Sequence, residues 1–395
     1  MKKPIIYLSL ILPLLFYLGV SFVAQTEKAE AMPGFARKYN MSCTTCHAPF
    51  PKLKAYGDEF AGNGFVLKDQ EAPRYFTKTG DDNLDLIKDL PIGIRLEGFY
   101  KYQSETGKNV DFSFPFNLKL LSGGALTKNI SYYFYFFFSE RGEVAGIEDA
   151  FIMFNNLLDR DFDVYLGQFQ VSDPLFKREL RLTYEDYNIY KHLVGESQIS
   201  LSYDRGIMMT YGFPTGTDLV LELLNGNGIG AADENRTYDD DKYKTGAFRL
   251  SQDINDNIRI GGVGYYGKEG QAHVNEVIMG GADATLTAGP AELNLQFVER
   301  KDSNPEFAEI CGPQNKVKSR GGMAELVILP YGDRSRLYMV GLYNAIDYDH
   351  GAVAYHTVTG HIGYLLRTNI RGFVENTYDI ENEENRFLVG LVTAF

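Results

Sequence analysis

The stretch GIRLEGFYKY, residues 93–102, alternates between two kinds of side chain, and this alternation decides the fold. Apolar side chains occupy one face, at Ile94, Leu96, Tyr100 and Tyr102. Mostly polar side chains occupy the other face, at Arg95, Glu97, Phe99 and Lys101. A segment of about 10 residues with a period of two is typical of a transmembrane β-strand. Such strands need partners on both edges in hydrocarbon, so the pattern predicts a closed barrel.

The same alternation continues to the end of the chain. The last run, NRFLVGLVTAF at 385–395, places Phe387, Val389, Leu391, Thr393 and Phe395 on one face. Candidate strands lie near 92–102, 111–122, 128–139, 146–155, 161–169, 198–213, 217–223, 245–252, 257–266, 276–287, 290–299, 319–329, 335–346, 355–366, 369–379 and 386–395. The predicted fold is therefore all-β, a transmembrane antiparallel β-barrel of about 16 strands over residues 89–395.

The connections between these strands alternate in length. Short turns such as SGGALTKN, NNLLDRD, PTGTD, DINDN, AGP and YGDR are expected on the periplasmic side. Longer loops are predicted to face outward, at 170–197, 224–244, 300–318 and 347–354. The longest connection, 170–196, either folds into the lumen and constricts it or forms an exposed surface loop.

The composition restricts the partners of this chain. It carries 39 basic and 52 acidic residues, a net charge of −13, which argues against nucleic acid or anionic lipid heads as partners. There are 27 Tyr and 27 Phe but no Trp, and aromatic belts are typical of membrane barrels. A soluble β-sandwich is the alternative, but sixteen strands without a domain break favour the membrane barrel.

Residues 1–31 have the features of a secretory signal peptide. Lys2 and Lys3 are basic, residues 5–24 are apolar, and the small-x-small sequence AEA at 29–31 predicts cleavage before Met32. The apolar run is long enough to serve as an uncleaved anchor, which is the alternative. The predicted location is the outer membrane of a Gram-negative-type cell.

One motif carries recognisable chemistry, the sequence CTTCH at 43–47. Cys-x-x-Cys-His is the c-type haem attachment pattern, which predicts one covalent haem c on Cys43 and Cys46 with His47 as proximal iron ligand. A redox dithiol, a zinc half-site and a disulfide are the alternatives. The sequence does not identify the sixth ligand: His361 is one candidate because its strand parity points it into the lumen, and a water or an open position is the alternative. Cys311 is predicted to be a free thiol.

The segment after the motif, APFPKLKAYGDEFAGNGF at 48–65, predicts a short helix with Leu53, Tyr56 and Phe60 on one stripe. Residues 32–88 are too few to bury a sizeable core. We therefore expect residues 32–88 to form a small helical c-type cytochrome domain that plugs the lumen or lies on its periplasmic side.

An acidic stretch, DENRTYDDDKYK at 233–244, is the remaining candidate site. Its carboxylates could gather divalent cations such as Fe(II), or form a solvated loop: Asp233, Glu234, Asp239, Asp240 and Asp241. The sequence contains no catalytic constellation, so it leaves enzyme activity undecided, with an Fe(II)-oxidising electron carrier as the candidate.

These residues resemble the fused monohaem cytochrome c–porin proteins of the outer membrane, which include iron oxidases. The resemblance is carried by FAR at 35–37, the Cys43–His47 motif, and the order of Pro51, Leu53, Tyr56-Gly57, Phe60 and Gly64-Phe65. The stretch YDRGIMM…LLNGNG also resembles O/P-type porins. The resemblance implies a haem held in or against the barrel.

The resemblance also implies electron transfer between an extracellular donor, preferably Fe(II), and a periplasmic cytochrome c or another electron carrier. One haem at the periplasmic rim would lie far from the outer surface of a bilayer about 30 Å thick, so the haem domain is expected inside the lumen. The alternative is a solute porin with an appended periplasmic haem domain. A haem-bearing sensor or adhesin is a weaker third hypothesis.

Overall fold

The computed structural model describes residues 34–67, 76–77, 79–104, 109–140, 142–172, 174–310, 312–349 and 355–395. The predicted signal peptide, residues 1–31, lies outside these ranges, and so does Cys311. Their roles therefore stay predictions.

Within those residues, sixteen antiparallel strands pair in chain order into one closed barrel, and the last strand pairs with the first. The strands are β3 (Ile92–Gln103), β4 (Val110–Ala125), β5 (Ile130–Glu140), β6 (Gly146–Phe154), β7 (Phe162–Gln170), β8 (Tyr203–Phe213), β9 (Thr217–Leu224), β10 (Thr245–Asn255), β11 (Ile258–Glu269), β12 (Asn275–Ala288), β13 (Ala291–Asp302), β14 (Val317–Ile328), β15 (Leu337–Tyr348), β16 (Tyr355–Arg367), β17 (Ile370–Asp379) and β18 (Glu384–Ala394). The predicted fold class and strand number are confirmed. One boundary was wrong, because β8 begins at Tyr203 and not at 198.

The two faces of the barrel wall differ as the alternation predicts, and β16 shows this most clearly. Thr357, Thr359 and His361 are buried in the interior, whereas Val358 is 48% and Ile362 is 54% exposed on the outside. Apolar side chains also project outward from other strands, among them Leu221, Phe248, Ile278, Phe297 and Val374. An exterior of this kind suits hydrocarbon, because soluble proteins rarely expose so continuous an apolar surface.

The two ends of the barrel differ in the length of their connections. One end carries short turns, such as the two-residue turns between β10 and β11 and between β12 and β13, together with the C-terminal Phe395. The other end carries the long connections, including 171–202 and 225–244. This alternation confirms the predicted parity, in which both chain termini of the barrel lie at the short-turn end.

A small helical region precedes the barrel. It contains α1 (Gly34–Tyr39) and α2 (Ala55–Gly62), and a two-stranded sheet of β1 (Phe76–Thr77) with β2 (Leu86–Ile87) follows it. We call residues 34–67 the N-terminal plug. None of the helices in the described ranges has the length and apolar character needed to cross a membrane.

The predicted apolar stripe of α2 is only partly right. Phe60 is buried as expected, but Tyr56 is 40% exposed and Gly57 takes the inward position. The backbone of Gly57 packs so closely on Cys46 that a Cβ there would lie 2.4 Å from the Cys46 carbonyl oxygen. Gly57 therefore faces the motif turn, and Tyr56 lies on the more exposed side of the helix.

The interior of the barrel is filled by the connection between β7 and β8, residues 171–202, which we call the lumen loop. Its apolar side chains Tyr187, Ile189 and Tyr190 pack against wall residues such as Met279 and Met323. Each fully buried side chain of this size stabilises the fold by about 1.5–3 kcal/mol. Of the two alternatives that the sequence left open, entry into the lumen is the one that the structure shows.

Candidate haem site and lumen

The motif residues Cys43, Cys46 and His47 are gathered by one tight turn. Residues Cys43–Thr45 form a single 3-10 turn, which Ser42 caps by accepting a hydrogen bond from the Thr44 N–H at 3.3 Å. The N–H groups of Cys46 and His47 both donate to the Cys43 carbonyl, at 3.2 and 3.0 Å. The turn therefore holds both thiols and the imidazole on adjacent positions of one backbone loop.

The imidazole of His47 is held in one orientation. Its Nδ1–H donates to the Pro51 carbonyl oxygen at 2.8 Å, which leaves Nε2 as the nitrogen that can ligate a metal. Metal-ligating histidines usually donate their other ring N–H in this way. Burial lowers the pKa of His47, although the hydrogen bond to Pro51 partly opposes this, so the neutral form that ligates iron is favoured.

The two thiols are not arranged as a reactive dithiol. Burial is the main cause that raises the pKa of Cys43 and of Cys46 above the usual value. A nucleophilic dithiol requires a lowered thiol pKa. In the described part of the chain, Cys43 and Cys46 are also not bonded to each other. The raised pKa of both thiols argues against the redox-dithiol alternative, and the zinc half-site and the disulfide stay as alternatives.

The N-terminal plug sits in the short-turn mouth of the barrel. Phe65 stacks on Tyr133 of β5 with ring centroids 5.2 Å apart, and Asn156 donates to the side chain of Asn63 at 3.2 Å. Gly64 has φ +68°, and a Cβ there would meet the Ser131 hydroxyl at 2.6 Å, so only glycine fits. The plug is thus fitted against β5 and the β6–β7 turn.

Charged side chains hold the plug at other points of the circumference. Lys52 pairs with Glu292 of β13 at 3.0 Å, and Lys54 pairs with Asp333 in the β14–β15 turn at 3.3 Å. Toward the barrel interior, Asp58 lies 3.6 Å from Lys177 of the lumen loop. The plug therefore contacts both the barrel wall and the lumen loop.

A cleft of ≈ 300 Å³ lies between the motif and two short turns of the barrel, and we call it the inner cleft. It is lined by Cys43, Thr44, His47, Ala48, Pro49, Phe50, Asp333, Arg334, Ser335, Arg336, Leu365, Leu366, Arg367 and Thr368. Its volume lies at the small end of the range for ligand pockets. Its donor set fits haem c: a thiol, an oriented imidazole, apolar walls, and arginines that can face carboxylate groups.

The lumen loop is anchored to the opposite wall by a buried carboxylate. Glu375 of β17 accepts the backbone N–H groups of Tyr184 and Glu185, at 2.7 and 3.0 Å. His361 of β16 contacts the same carboxylate through Nδ1 at 2.9 Å. Hydrogen bonds to a charged group contribute about 1.5–3 kcal/mol each, so Glu375 is a major support of the closed lumen.

His361 forms part of this loop anchor. Its Nε2 lies 3.3 Å from the Tyr338 hydroxyl, and its ring stacks on Phe373 with centroids 5.2 Å apart. Its predicted inward orientation is confirmed, but among the described residues it makes no hydrogen bond or ring contact with Cys43, Cys46 or His47. Its role as sixth ligand stays a prediction, and the contacts assign it to the loop anchor.

A second anchor lies on the other side of the lumen. Glu179 pairs with Lys119 of β4 at 2.7 Å and accepts the Tyr135 hydroxyl at 2.9 Å. Burial tends to raise the pKa of Glu179, but the ammonium of Lys119 and the guanidinium of Arg181 outweigh it and hold the pKa to about 2. This anchor is therefore charged at any physiological pH.

A larger cavity of ≈ 730 Å³ extends from the long-loop end toward mid-barrel, and we call it the outer cavity. Its inner wall is formed by Phe99, Phe116, Tyr184 and Phe373. Phe50, which lines the inner cleft, packs against this same cluster. We call these five side chains the aromatic septum, because Phe50 lines the inner cleft, the other four line the outer cavity, and all five belong to one packed cluster.

Only three of the five carboxylates in the predicted cation-binding stretch form a close cluster. Carboxylate oxygens of Asp239, Asp240 and Asp241 lie within 4.8 Å of one another. Lys244 pairs with Asp239, and Asp241 accepts the backbone N–H groups of Tyr243 and Gly270. Because two of the three carboxylates are already engaged, a surface loop describes this stretch best.

Several site residues were missed from the sequence. Phe50 and Pro51 follow the Cys43–His47 motif within four residues, but no pattern predicts that Phe50 lines a cleft and that Pro51 orients His47. Arg336 and Glu375 belong to no motif, apart from the inward strand parity of Glu375. Contacts between residues distant in the sequence decide their roles, and one sequence does not reveal such contacts.

Comparisons with known proteins confirm the fold. No protein-family model matches the chain, and no curated protein matches it. It is similar to an anion-selective porin from Comamonas acidovorans, with 11% identity over 78% of this chain and 99% of the porin, TM-score 0.57. OmpT of Vibrio cholerae gives 8% identity over 78% and 99% of the two chains, TM-score 0.54. Salmonella typhi OmpF, solved with daunomycin, gives 12% over 78% and 98%, TM-score 0.54.

At these identities the likeness establishes a porin-type barrel fold. The predicted porin-like architecture is therefore right. The finer resemblance to fused cytochrome–porins finds no counterpart in these comparisons and stays a prediction.

Proposed function

We propose that this protein is an outer-membrane electron-transfer protein, a porin-type barrel whose N-terminal plug carries one covalently attached haem c. One observation carries the proposal. The Cys43–His47 turn, with the His47 Nδ1–H fixed on Pro51, lies inside the mouth of a barrel whose lumen is also occupied by the lumen loop. An open solute pore needs neither the motif nor the plug.

The residues of the inner cleft have distinct roles in this proposal. Cys43 and Cys46 would hold the haem through thioether bonds, and His47 Nε2 would ligate its iron. Haem c, when attached, supplies a reversible one-electron couple. Phe50, Leu365 and Leu366 would shield the bound group from part of the solvent, which would strengthen electrostatic interactions there.

The orientation of the barrel determines which partner each end would face during electron transfer. Short turns of such barrels face the periplasm, so the inner cleft would face a periplasmic cytochrome c or another electron carrier. The outer cavity would face an extracellular donor, for which Fe(II) was the sequence-based preference. Lipid of the outer membrane would surround the apolar exterior of the barrel.

A second candidate is a solute channel in which the plug is an accessory. It is favoured by the porin-type fold, since the anion-selective porin of Comamonas acidovorans shares the barrel, and by the ≈ 730 Å³ outer cavity. In this reading the N-terminal plug and the lumen loop would have to move aside for solutes to pass.

The test uses the full-length protein purified from an outer membrane. Haem is quantified by its reduced pyridine-complex spectrum after acid–acetone extraction, and conductance is recorded in planar bilayers. We expect one non-extractable haem per chain and steady conductance far below that of a general porin measured alongside. A haem-free preparation with large stable channels would overturn the proposal in favour of the solute channel.

A further inference from the structure

Two short segments of the barrel line the inner cleft together with the motif residues Cys43 and His47. The β14–β15 turn contributes residues 333–336, and the end of β16 with its following turn contributes residues 365–368. The second segment touches the motif directly, because the Thr368 side chain is hydrogen-bonded to the Cys43 thiol. A group attached to Cys43 would therefore meet the barrel as well as the plug.

Arg336 joins these two segments through both its backbone and its side chain. Its carbonyl oxygen accepts the Leu365 N–H at 2.8 Å. Its guanidinium donates through Nε to the Leu365 carbonyl at 3.0 Å and through Nη2 to the Leu366 carbonyl at 2.9 Å. The guanidinium also lies 5.1 Å from the ring centroid of Tyr364, within the range of a cation–π contact. These contacts hold the cation in one place although the residue is exposed.

The charge of Arg336 is not balanced by the protein. Among the described residues no carboxylate pairs with its guanidinium, whose hydrogen-bond acceptors are neutral carbonyls, and Nη1 has no acceptor. Asp333, the acidic residue of the same turn, is paired instead with Lys54 of the plug at 3.3 Å. Arg259, at the same end of the barrel, differs in this respect, because it pairs with Asp253 at 2.7 Å. Arg336 is therefore a fixed cation that is still able to bind an anion.

The neighbouring Arg334 does not share this placement. It lies in the same turn and lines the same cleft, but its side chain makes no hydrogen bond or ion pair with the described residues. A side chain that is already held in position loses less conformational freedom when it binds a ligand. Of these two arginines, Arg336 is the better placed to orient a bound group.

We propose that Arg336 is a positioning residue that binds a carboxylate group of the haem, so that the barrel supplies part of the haem site. Guanidinium–carboxylate contacts are among the strong charge-assisted hydrogen bonds of proteins, and haem c carries two carboxylates. This inference rests on the proposed function and deepens it, because it names a barrel residue that fixes the orientation of the haem in the inner cleft.

The same contact would link the plug to the barrel. Thioether bonds would hold the haem to the plug, whereas Arg336 belongs to the barrel, so the haem would bridge the two parts. A fixed cation near the iron also favours the reduced state, because reduction removes one positive charge. Loss of Arg336 should therefore lower the reduction potential.

The binding experiment removes the covalent bonds so that the carboxylates can be varied. The full-length C43A/C46A variant in detergent is titrated with haemin and with haemin dimethyl ester, which lacks both anionic groups, and absorbance follows ligation by His47. We expect saturable binding of both, with haemin bound about fivefold more tightly, the upper end for an exposed charge pair. In C43A/C46A/R336Q this ratio should fall to about one, because the cycle isolates the contact between the two partners.

The matched control is C43A/C46A/R334Q, which removes the same charge from the same turn and should keep the preference for haemin. R336K in the same background should restore only part of it, because lysine keeps the charge but cannot make both carbonyl contacts. A variant that merely loosened the two segments would weaken haemin and its ester alike. Absence of haemin binding, an unchanged preference in R336Q, or an equal loss in R334Q would each overturn the proposal.

The haem-loaded protein gives an independent readout. Spectroelectrochemical titration of the full-length protein should show a lower reduction potential in R336Q than in the unaltered protein, and a smaller change in R334Q. An unchanged potential in R336Q would contradict the proposal.

The outcomes separate this inference from the proposed function. A protein that carries covalent haem but shows no effect of R336Q would reject only the inference. A protein that carries no covalent haem would reject the proposed function, whereas the ratio of haemin to ester affinity in the C43A/C46A variants would still report on the contact with Arg336.

Discussion

The two ends of the lumen are built from different chemistry, although one barrel wall encloses both. The inner cleft is lined by one thiol, an oriented imidazole, apolar side chains and the charged side chains of two short turns, and backbone hydrogen bonds of the plug hold the thiol and the imidazole in place. The outer cavity is formed by guanidinium and carboxylate groups that hold the lumen loop to the wall. The comparison teaches that the inner end is ordered by backbone contacts of the plug, whereas the outer end is ordered by ion pairs between the lumen loop and the wall.

The separation between these ends is thin. Phe50 closes the inner cleft, and Tyr184, Phe99, Phe116 and Phe373 close the outer cavity, in one packed cluster. Changes to the plug should therefore affect the inner end, and changes to the lumen loop should affect the outer end. The following predictions test that division, from the largest expected effect to the smallest.

His47→Ala should have the largest effect, and only at the inner end. Loss of the imidazole removes the proximal ligand, so we expect near-complete loss of the haem absorption bands per assembled barrel. Heat-modifiable electrophoretic mobility should show that the barrel still assembles. His356→Gln, at the opposite parity of β16, is the matched control and should retain the spectrum. An unchanged haem spectrum in H47A would contradict the role of His47 as proximal ligand in the inner cleft.

Glu375→Gln should open the outer end. It weakens the acceptor for two backbone N–H groups of the lumen loop and leaves Arg386 with one fewer carboxylate. Removing one partner of a buried charged network costs about 3–5 kcal/mol. We expect a lower urea midpoint for unfolding and a higher single-channel conductance, with haem retained. Conductance equal to that of the unaltered protein would contradict the role of Glu375 as anchor.

Phe50→Ala should join the two spaces. Truncating this half-buried ring removes up to about 3 kcal/mol of packing and takes away the part of the septum that lines the inner cleft. Small-ion conductance should rise, and water access should shift the haem reduction potential. The conservative variant Phe50→Leu should show a smaller change in both. If neither property moves in F50A, the septum is not the barrier.

Low pH should release the Glu179 anchor. The folded-state pKa of Glu179 is about 2, below the usual value for Glu, so its stabilising effect is complete above the unfolded pKa of about 4.3 and is lost as pH falls toward 2. Conductance in bilayers should stay constant from pH 7 to 5 and rise below pH 4. In Glu179→Gln this part of the pH dependence should vanish. A rise already between pH 7 and 5 would assign the anchoring to another group.

Lys52→Gln should have the smallest effect. The Lys52–Glu292 pair at the mouth is only about three-quarters buried on each side, and such pairs contribute at most about 1 kcal/mol. We expect a small loss of thermal stability that disappears in high salt, with haem content and conductance unchanged. A loss of several kcal/mol would mean that the plug is held mainly by charge pairs.

The barrel could be predicted well from the sequence because the evidence for its strands is local. Period-two alternation, as in Thr357 to Ile362, depends only on neighbouring residues, and the turn lengths set the parity of the strands. The Cys43–His47 motif was recognisable for the same reason, since its spacing is short.

The lumen contents were less predictable, because they depend on contacts between distant residues. The strand predicted at 198–213 was five residues too long at its start, since 198–202 lie within the lumen loop. His361 was correctly oriented inward, but its partner Glu375 was not foreseen. Alternation fixes which side chains point inward, and the packing of the plug and the loop decides what they meet.

The most direct measurement follows the haem while a membrane-impermeant reductant is added on one side of sealed proteoliposomes. The protein is inserted with its long loops outward, and a self-quenched dye inside reports leakage in the same cuvette. Our account predicts that reductant outside reduces the haem rapidly without dye release. A haem that stays oxidised until reductant is placed inside, or reduction that occurs only together with dye release, would contradict it.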